Sequence, residues 1–288
     1  MLKTGYFREN ALHEEIQLEA KVPNQAITLL SFLEATASDY AALFNSDSER
    51  WNGFPDSIRD SIKALNLLNI AGMRPLMLAV AAKFSPKEAS SAFRKFISWH
   101  VRFLIAGSTL TGGYIEVPLA TTAKKIFDGE ISDEAALTAE MLPRLPSDEV
   151  FGKAFSNATV SKTALARYYL RSLEMVVKGV PDPCFIPNDD RDTITLEHIL
   201  PQKPLSNWPT FSENDAKVDW KRIGNMALLQ AKKNSDLKSA PFAEKQMVFS
   251  ESPYELTSQL AHVAIWTHEC IVEWQTLLSK YALKAWPL

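Results

Sequence analysis

Glu197 and His198 stand side by side at the end of a short β-branched stretch, Thr193-Ile-Thr-Leu-Glu-His198, just ahead of Pro201 and Pro204. Asn225 follows directly behind Gly224, and Asn234 lies nine residues further on. These residue types suit hydrolysis of a phosphodiester with one divalent cation. That chemistry needs a carboxylate or amide oxygen on a hard metal ion, a base for the attacking water, and a positive centre for charge building on the phosphate. A histidine beside an acid at a strand end can supply the first two together. Lys238 and Lys245 are candidates for phosphate contact, although an exposed surface lysine is the commoner reading of each. Blander readings exist for the others as well. A Glu-His pair is usually a surface pair, Asn after Gly is often a turn residue, and Asn234-Ser235 could cap a helix.

The elements that must position these residues are legible in outline. Neighbouring side chains on a strand point to opposite faces, so Glu197 and His198 can serve one site only where their strand, predicted over 193–198, ends. A second strand is predicted over 222–229, entered through Gly224. From Asn234 onward the pattern is helical, with amphipathic helices over about 254–264 and 268–285. A helix laid against the two-stranded ribbon would bring a further oxygen ligand to the same cation.

Upstream, residues 10–180 read as a series of amphipathic helices. Apolar residues recur at steps of three and four over 25–43 and 57–68, and Ser85-Pro86 opens another helix as N-cap and first-turn proline. Further helices are predicted over 119–128, 133–141, 148–155 and 162–177. The stretch 180–190 carries three prolines and three aspartates, the chemistry of a linker. The expected fold is mainly α: a helical domain over 1–180, a linker over 181–190, and a second domain over 191–288.

Bulk composition narrows the function class. A chain of 288 residues with 46% hydrophobic and 23% charged residues is ordinary for a globular protein. No run of about 18 uncharged apolar residues occurs, so no membrane span is expected, and the N-terminus lacks the apolar core of a secretory signal. Two cysteines in no CxxC pair exclude a disulfide framework and a thiolate zinc site, and a cytoplasmic location is expected. The net charge of −3 argues against a protein that coats DNA. Between His198 and Lys245, however, eight Lys or Arg face five acids, a local excess of +3, and a local patch suffices for phosphate contact. His13, His100, His262 and His268 have no metal-like spacing.

Taken together, Thr195-Leu-Glu-His-Ile-Leu-Pro-Gln202, Trp220, Ile223-Gly-Asn-Met-Ala-Leu-Leu229, Asn234-Ser-Asp-Leu237 and Pro241-Phe-Ala-Glu-Lys245 resemble the C-terminal HNH domain of GmrSD-type restriction endonucleases. The likeness continues through Trp266, Ile271, Leu278 and Ala285-Trp-Pro-Leu288, so it covers about the last hundred residues. Trp274 departs from it, where the family pattern carries Arg. The resemblance implies an HNH (ββα-metal) nuclease domain embedded in helices, with His198 as general base and Asn225 as the residue orienting the loop and the imidazole. Glu197 and Asn234 would be the ligands of Mg²⁺ or Mn²⁺, or of its waters. Trp220, Leu229 and Phe242 read as core.

The helical segment, through Phe96, Ala123-Lys-Lys-Ile126, Phe155 and Ala166-Arg-Tyr-Tyr-Leu170, is similar to the one preceding the nuclease in single-chain relatives. Those relatives begin with a ParB-like nucleotide-hydrolysing domain. This sequence contains no match to it and no Walker-type loop, which implies a C-terminal fragment or a subunit with a separate partner. The function implied is DNA cleavage in bacterial defence against phage or modified DNA. The alternative is a DNA-binding or partner-docking module whose nuclease centre is inactive on its own.

Overall fold

A computed structural model describes residues 9–107, 116–181, 183–185, 193–204, 207–237 and 239–288. The chain divides into two compact units after Leu145, rather than in the proline-rich stretch 181–190, most of which lies outside the described residues.

The first unit is helical: α1 (Leu12–Glu19), α2 (Pro23–Ala42), α3 (Ser57–Leu68), α4 (Arg74–Lys83), α5 (Pro86–Ala106), α6 (Glu116–Phe127) and α7 (Glu134–Met141). The apolar spacing read from the sequence is what buries α3, whose Ile58, Ile62, Leu65 and Leu68 all face inward. Ser85 caps α5 by accepting from the Glu88 N–H, with Pro86 in the first turn, and Asp133 caps α7 in the same way. The core runs through Trp51, Phe93, Phe96 and Trp99, each ring 5.5–6.0 Å from the next. On α2 the expected stripe is helical yet not core: Ile27, Leu30 and Leu33 are all exposed.

The second unit opens with α8 (Asp148–Phe155) and α9 (Thr163–Val177). These helices, expected in the first domain, belong here because the end of the last helix, α14, packs on them. The fully buried Trp286 ring sits 5.5–6.4 Å from Phe151, Phe155, Tyr168 and Tyr169. Between these pieces come β1 (Ile194–His198), α10 (Glu213–Asp219), β2 (Met226–Gln230), α11 (Ala231–Leu237), α12 (Phe242–Ser250), α13 (Glu255–Gln259) and α14 (His268–Ala285). The helix expected over 254–264 is shorter and ends in a 3-10 turn at Leu260–His262. Buried Glu174 of α9 fixes its start, accepting from the N–H groups of Glu255 and Leu256 at 2.6 and 2.9 Å.

The two strands are antiparallel, with Ile194 opposite Gln230 and His198 opposite Met226. A 3-10 turn, Ile223–Asn225, delivers the chain into β2, and α11 follows β2 without a loop and lies against both strands. A core of Ile199, Leu200, Trp208, Phe211, Leu229, Leu237, Phe242, Trp266 and Ile271 closes around the end of β1. The chain emerging from His198 therefore enters the core at once.

Candidate active site

β1 ends at His198 because the next two side chains, Ile199 and Leu200, are completely buried and the following proline cannot donate to a ladder. Beyond the last strand pair, the Ile199 N–H still reaches the Asn225 carbonyl at 2.9 Å. In an antiparallel ladder this makes His198 and Met226 a non-hydrogen-bonded pair, so the N–H and C=O of His198 point away from β2. So does the carbonyl of Leu196, two residues earlier. A buried free edge needs other partners, and the structure supplies them from three directions.

The first is Asn225, which is fully buried. Its Oδ1 accepts from the Leu200 N–H at 2.8 Å and from the Trp266 indole Nε1 at 3.2 Å, and its Nδ2 donates to the Leu200 carbonyl at 2.9 Å. The side chain thus closes the turn behind His198. Asn225 is held in turn through Gly224, whose N–H donates to Gln275 Oε1 at 3.2 Å, while Gln275 Nε2 donates to the carbonyls of Phe155 and Ala158. A Cβ on Gly224 would lie 2.6 Å from the Ile271 carbonyl oxygen on α14, so only glycine fits.

The second is Asn234 of α11, which donates from Nδ2 to Thr195 Oγ1 at 2.9 Å and to the Leu196 carbonyl at 3.1 Å. It lies inside the helix rather than at its cap. Its amide oxygen accepts no hydrogen bond among the described residues. The structure therefore brings Asn234 onto the strand that carries Glu197 and His198.

The third is Lys245 of α12. Expected at the surface or against phosphate, it is instead 0% exposed. Its ammonium contacts the Glu197 carboxylate and donates to the carbonyls of His198 and Ile199 at 2.8 and 3.0 Å, with the Trp208 ring centroid 5.6 Å away. Burial pushes the Glu197 carboxyl up and the Lys245 ammonium down, and their mutual attraction opposes both shifts. An ammonium with three oxygen acceptors is charge-assisted on every donor. The signal was present in the sequence: Phe242, Lys245 and Phe249 share one helical face, and both phenylalanines are core. A lysine on an apolar stripe marks a buried partner.

His198 itself is half-buried. Burial, and behind it the Lys245 charge, holds its imidazole below the usual histidine range, so it is neutral near pH 7. No hydrogen bond reaches its ring nitrogens among the described residues. Its ring lies 5.6 Å from Trp220, tilted by 46°, and Lys221 Nζ sits 4.7 Å from the same indole. Trp220 is therefore a half-exposed neighbour of the imidazole, not the core residue expected, whereas Leu229 and Phe242 are core. Lys238 lies outside the described residues.

The basic excess read from the sequence is smaller at the surface than it looked. Lys245 and Arg222 are buried, and Arg222 donates to the Ser156 carbonyl at 3.0 Å. Among the described residues no group of three or more His, Cys, Asp or Glu side chains is placed to hold a metal ion. Asn234, with its spare amide oxygen, suits a hard cation. Glu197 suits one poorly, because its 7%-exposed carboxylate is committed to Lys245. Within the second unit His268 pairs with Asp219 at 2.8 Å. No helix among the described residues is long and apolar enough to cross a membrane.

A search of curated proteins finds no match to the chain. The family model described as GmrSD restriction endonucleases, C-terminal domain, does match, over residues 145–281. That range begins one residue before the second unit and takes in β1, β2, Asn225, Asn234 and Lys245, so it is the second unit of this chain that is similar to the C-terminal domain of the GmrSD restriction endonucleases.

Proposed function

We propose that the second unit is an HNH endonuclease that hydrolyses DNA phosphodiesters with Mg²⁺ or Mn²⁺, and that it serves a modification-dependent or anti-phage restriction system in the cytoplasm. The observation that carries this reading is the Asn225 clamp. Three buried hydrogen bonds from one amide lock the turn behind His198, and the helix following the second strand ties Asn234 to the first. Histidine, asparagine and asparagine thereby belong to one strand–strand–helix element.

In this reading His198 takes the proton from the attacking water. Its depressed pKa suits it to arrive unprotonated at neutral pH. Asn225 fixes the turn so that the imidazole holds its aim, as a second hydrogen-bonding layer does around catalytic histidines generally. The Asn234 amide oxygen holds the cation or one of its waters. A bound divalent cation would stabilise charge on the phosphate and leaving oxygen, and Mg²⁺ keeps several waters and uses substrate phosphate oxygens, so a short protein ligand set suffices. Lys221, partly exposed and beside the Trp220 ring that neighbours the imidazole, is a candidate for contact with the phosphate. Recognition of modified DNA, and any ParB-like nucleotide-hydrolysing partner, would lie outside this unit.

The test is plasmid cleavage by the full chain with Mg²⁺ or Mn²⁺, set against His198→Ala. Loss of a general base lowers the rate by about 10²–10⁴-fold. Equal cleavage by the two proteins would remove His198 from the chemistry.

A further inference from the structure

Five backbone polar groups from His198 to Leu200, the three carbonyls and the N–H groups of Ile199 and Leu200, have partners that fall into two sets. Asn225 takes the Ile199 N–H with its main chain and both groups of Leu200 with its side chain. The carbonyls of His198 and Ile199 go to the buried ion pair: Lys245 donates to both while its ammonium contacts the Glu197 carboxylate. The two charges also neutralise each other. One buried ammonium, with Glu197 as its counter-charge, thus holds the two successive carbonyls at the end of β1.

We infer that Lys245 and Glu197 form a single positioning device for His198, and that Glu197 is not a ligand of the metal. A buried ion pair rarely justifies itself by stability, since apolar residues of similar size do as well or better. What apolar residues cannot do is hold two carbonyls at the end of a strand. The arrangement also accounts for the chemistry of the acid at 197. A ligand of a divalent cation must offer its oxygens to the cation, whereas this carboxylate faces an ammonium that is itself fully enclosed. Two cations at one buried carboxylate would repel each other in a medium of low dielectric. Asn234, whose oxygen accepts no hydrogen bond among the described residues, keeps its proposed place beside the metal.

This inference rests on the nuclease reading, and one set of proteins separates the two. Full-length wild type, Glu197→Met/Lys245→Met, Lys245→Met and Asn234→Ala are compared for unfolding temperature, Mn²⁺ affinity by electron paramagnetic resonance, and kcat and KM for plasmid cleavage. The double variant removes both charges at once and so avoids the stranded carboxylate that could unfold Lys245→Met. It is expected to fold, to bind Mn²⁺ within about threefold of wild type, and to lose about 10²-fold in kcat at unchanged KM, the scale of a small misplacement of a reacting group. Asn234→Ala is expected to lose Mn²⁺ affinity. A double variant that loses Mn²⁺ affinity as Asn234→Ala does would restore Glu197 to the metal shell and overturn the inference. So would a folded double variant with wild-type kcat, or one that fails to fold, which would make the pair a matter of stability. Wild type that does not cleave with any divalent metal refutes the nuclease reading itself, and this inference with it.

Discussion

Asn225→Ala is the perturbation that probes the site most directly. The substitution strands three buried groups: the N–H and C=O of Leu200 and the indole N–H of Trp266. Each unsatisfied buried group costs about 1–3 kcal/mol, and partial relaxation around a small turn brings the expected total to about 4 kcal/mol. With a urea m-value of about 2 kcal/mol per molar, the midpoint falls by about 2 M. Five of the seven tryptophans lie beyond Pro146, so intrinsic fluorescence follows this unit.

Asn225→Asp sharpens the same argument. One carboxylate oxygen can keep the bonds from Leu200 and Trp266, but the other would face the Leu200 carbonyl, which requires a donor. Only the protonated acid supplies one, so the folded-state pKa must rise above the unfolded value of about 3.9. Stability is then fully present below that unfolded value and lost as pH rises through the folded one. The gap between this variant and wild type is expected to be clearly wider at pH 8 than at pH 5. An alanine variant costing less than about 1 kcal/mol, or an aspartate variant with the same gap at both pH values, would refute the clamp.

Gly224→Ala drives a Cβ to within 2.6 Å of the Ile271 carbonyl oxygen and 2.7 Å of Gln275 Cβ; calorimetry is expected to show a loss of about 1–3 kcal/mol, together with reduced cleavage because Asn225 is the next residue. In the first unit, His100 is held down to about 4 by burial, partly offset by its contact with the Leu68 carbonyl at 3.3 Å. Its folded pKa lies below the unfolded one, so the unfolded chain takes up the proton first as pH falls from about 6.5 to 4, and stability drops by on the order of 2–3 kcal/mol across that window. Urea unfolding at pH 4.5 and 7 checks it, and His100→Gln is expected to flatten the dependence.

How much of this was legible before folding differs by element. The helices over 57–68, 148–155 and 268–285 are in place because local apolar spacing, joined in the last two by the capping side chains of Ser147 and Thr267, already decides them. The strand ending at His198, the entry through Gly224 and the order of His198, Asn225 and Asn234 were also local features. Three things were not. The stripe on α2 has helical spacing yet lies exposed, because periodicity reports a face and not what covers it. The prolines of 180–190 predict a boundary there, but the units divide after Leu145, and Trp286 packs on Tyr168, 118 residues away. The candidate site turned on Lys245, 48 residues from Glu197. The sequence by itself determined which residues could carry proton and metal chemistry and on which strand they sit, since composition and short-range spacing are written in order. Tertiary structure alone decided which of them are committed elsewhere, because burial, the pairing of charges and the filling of a strand's free edge depend on groups that meet only when the chain has folded.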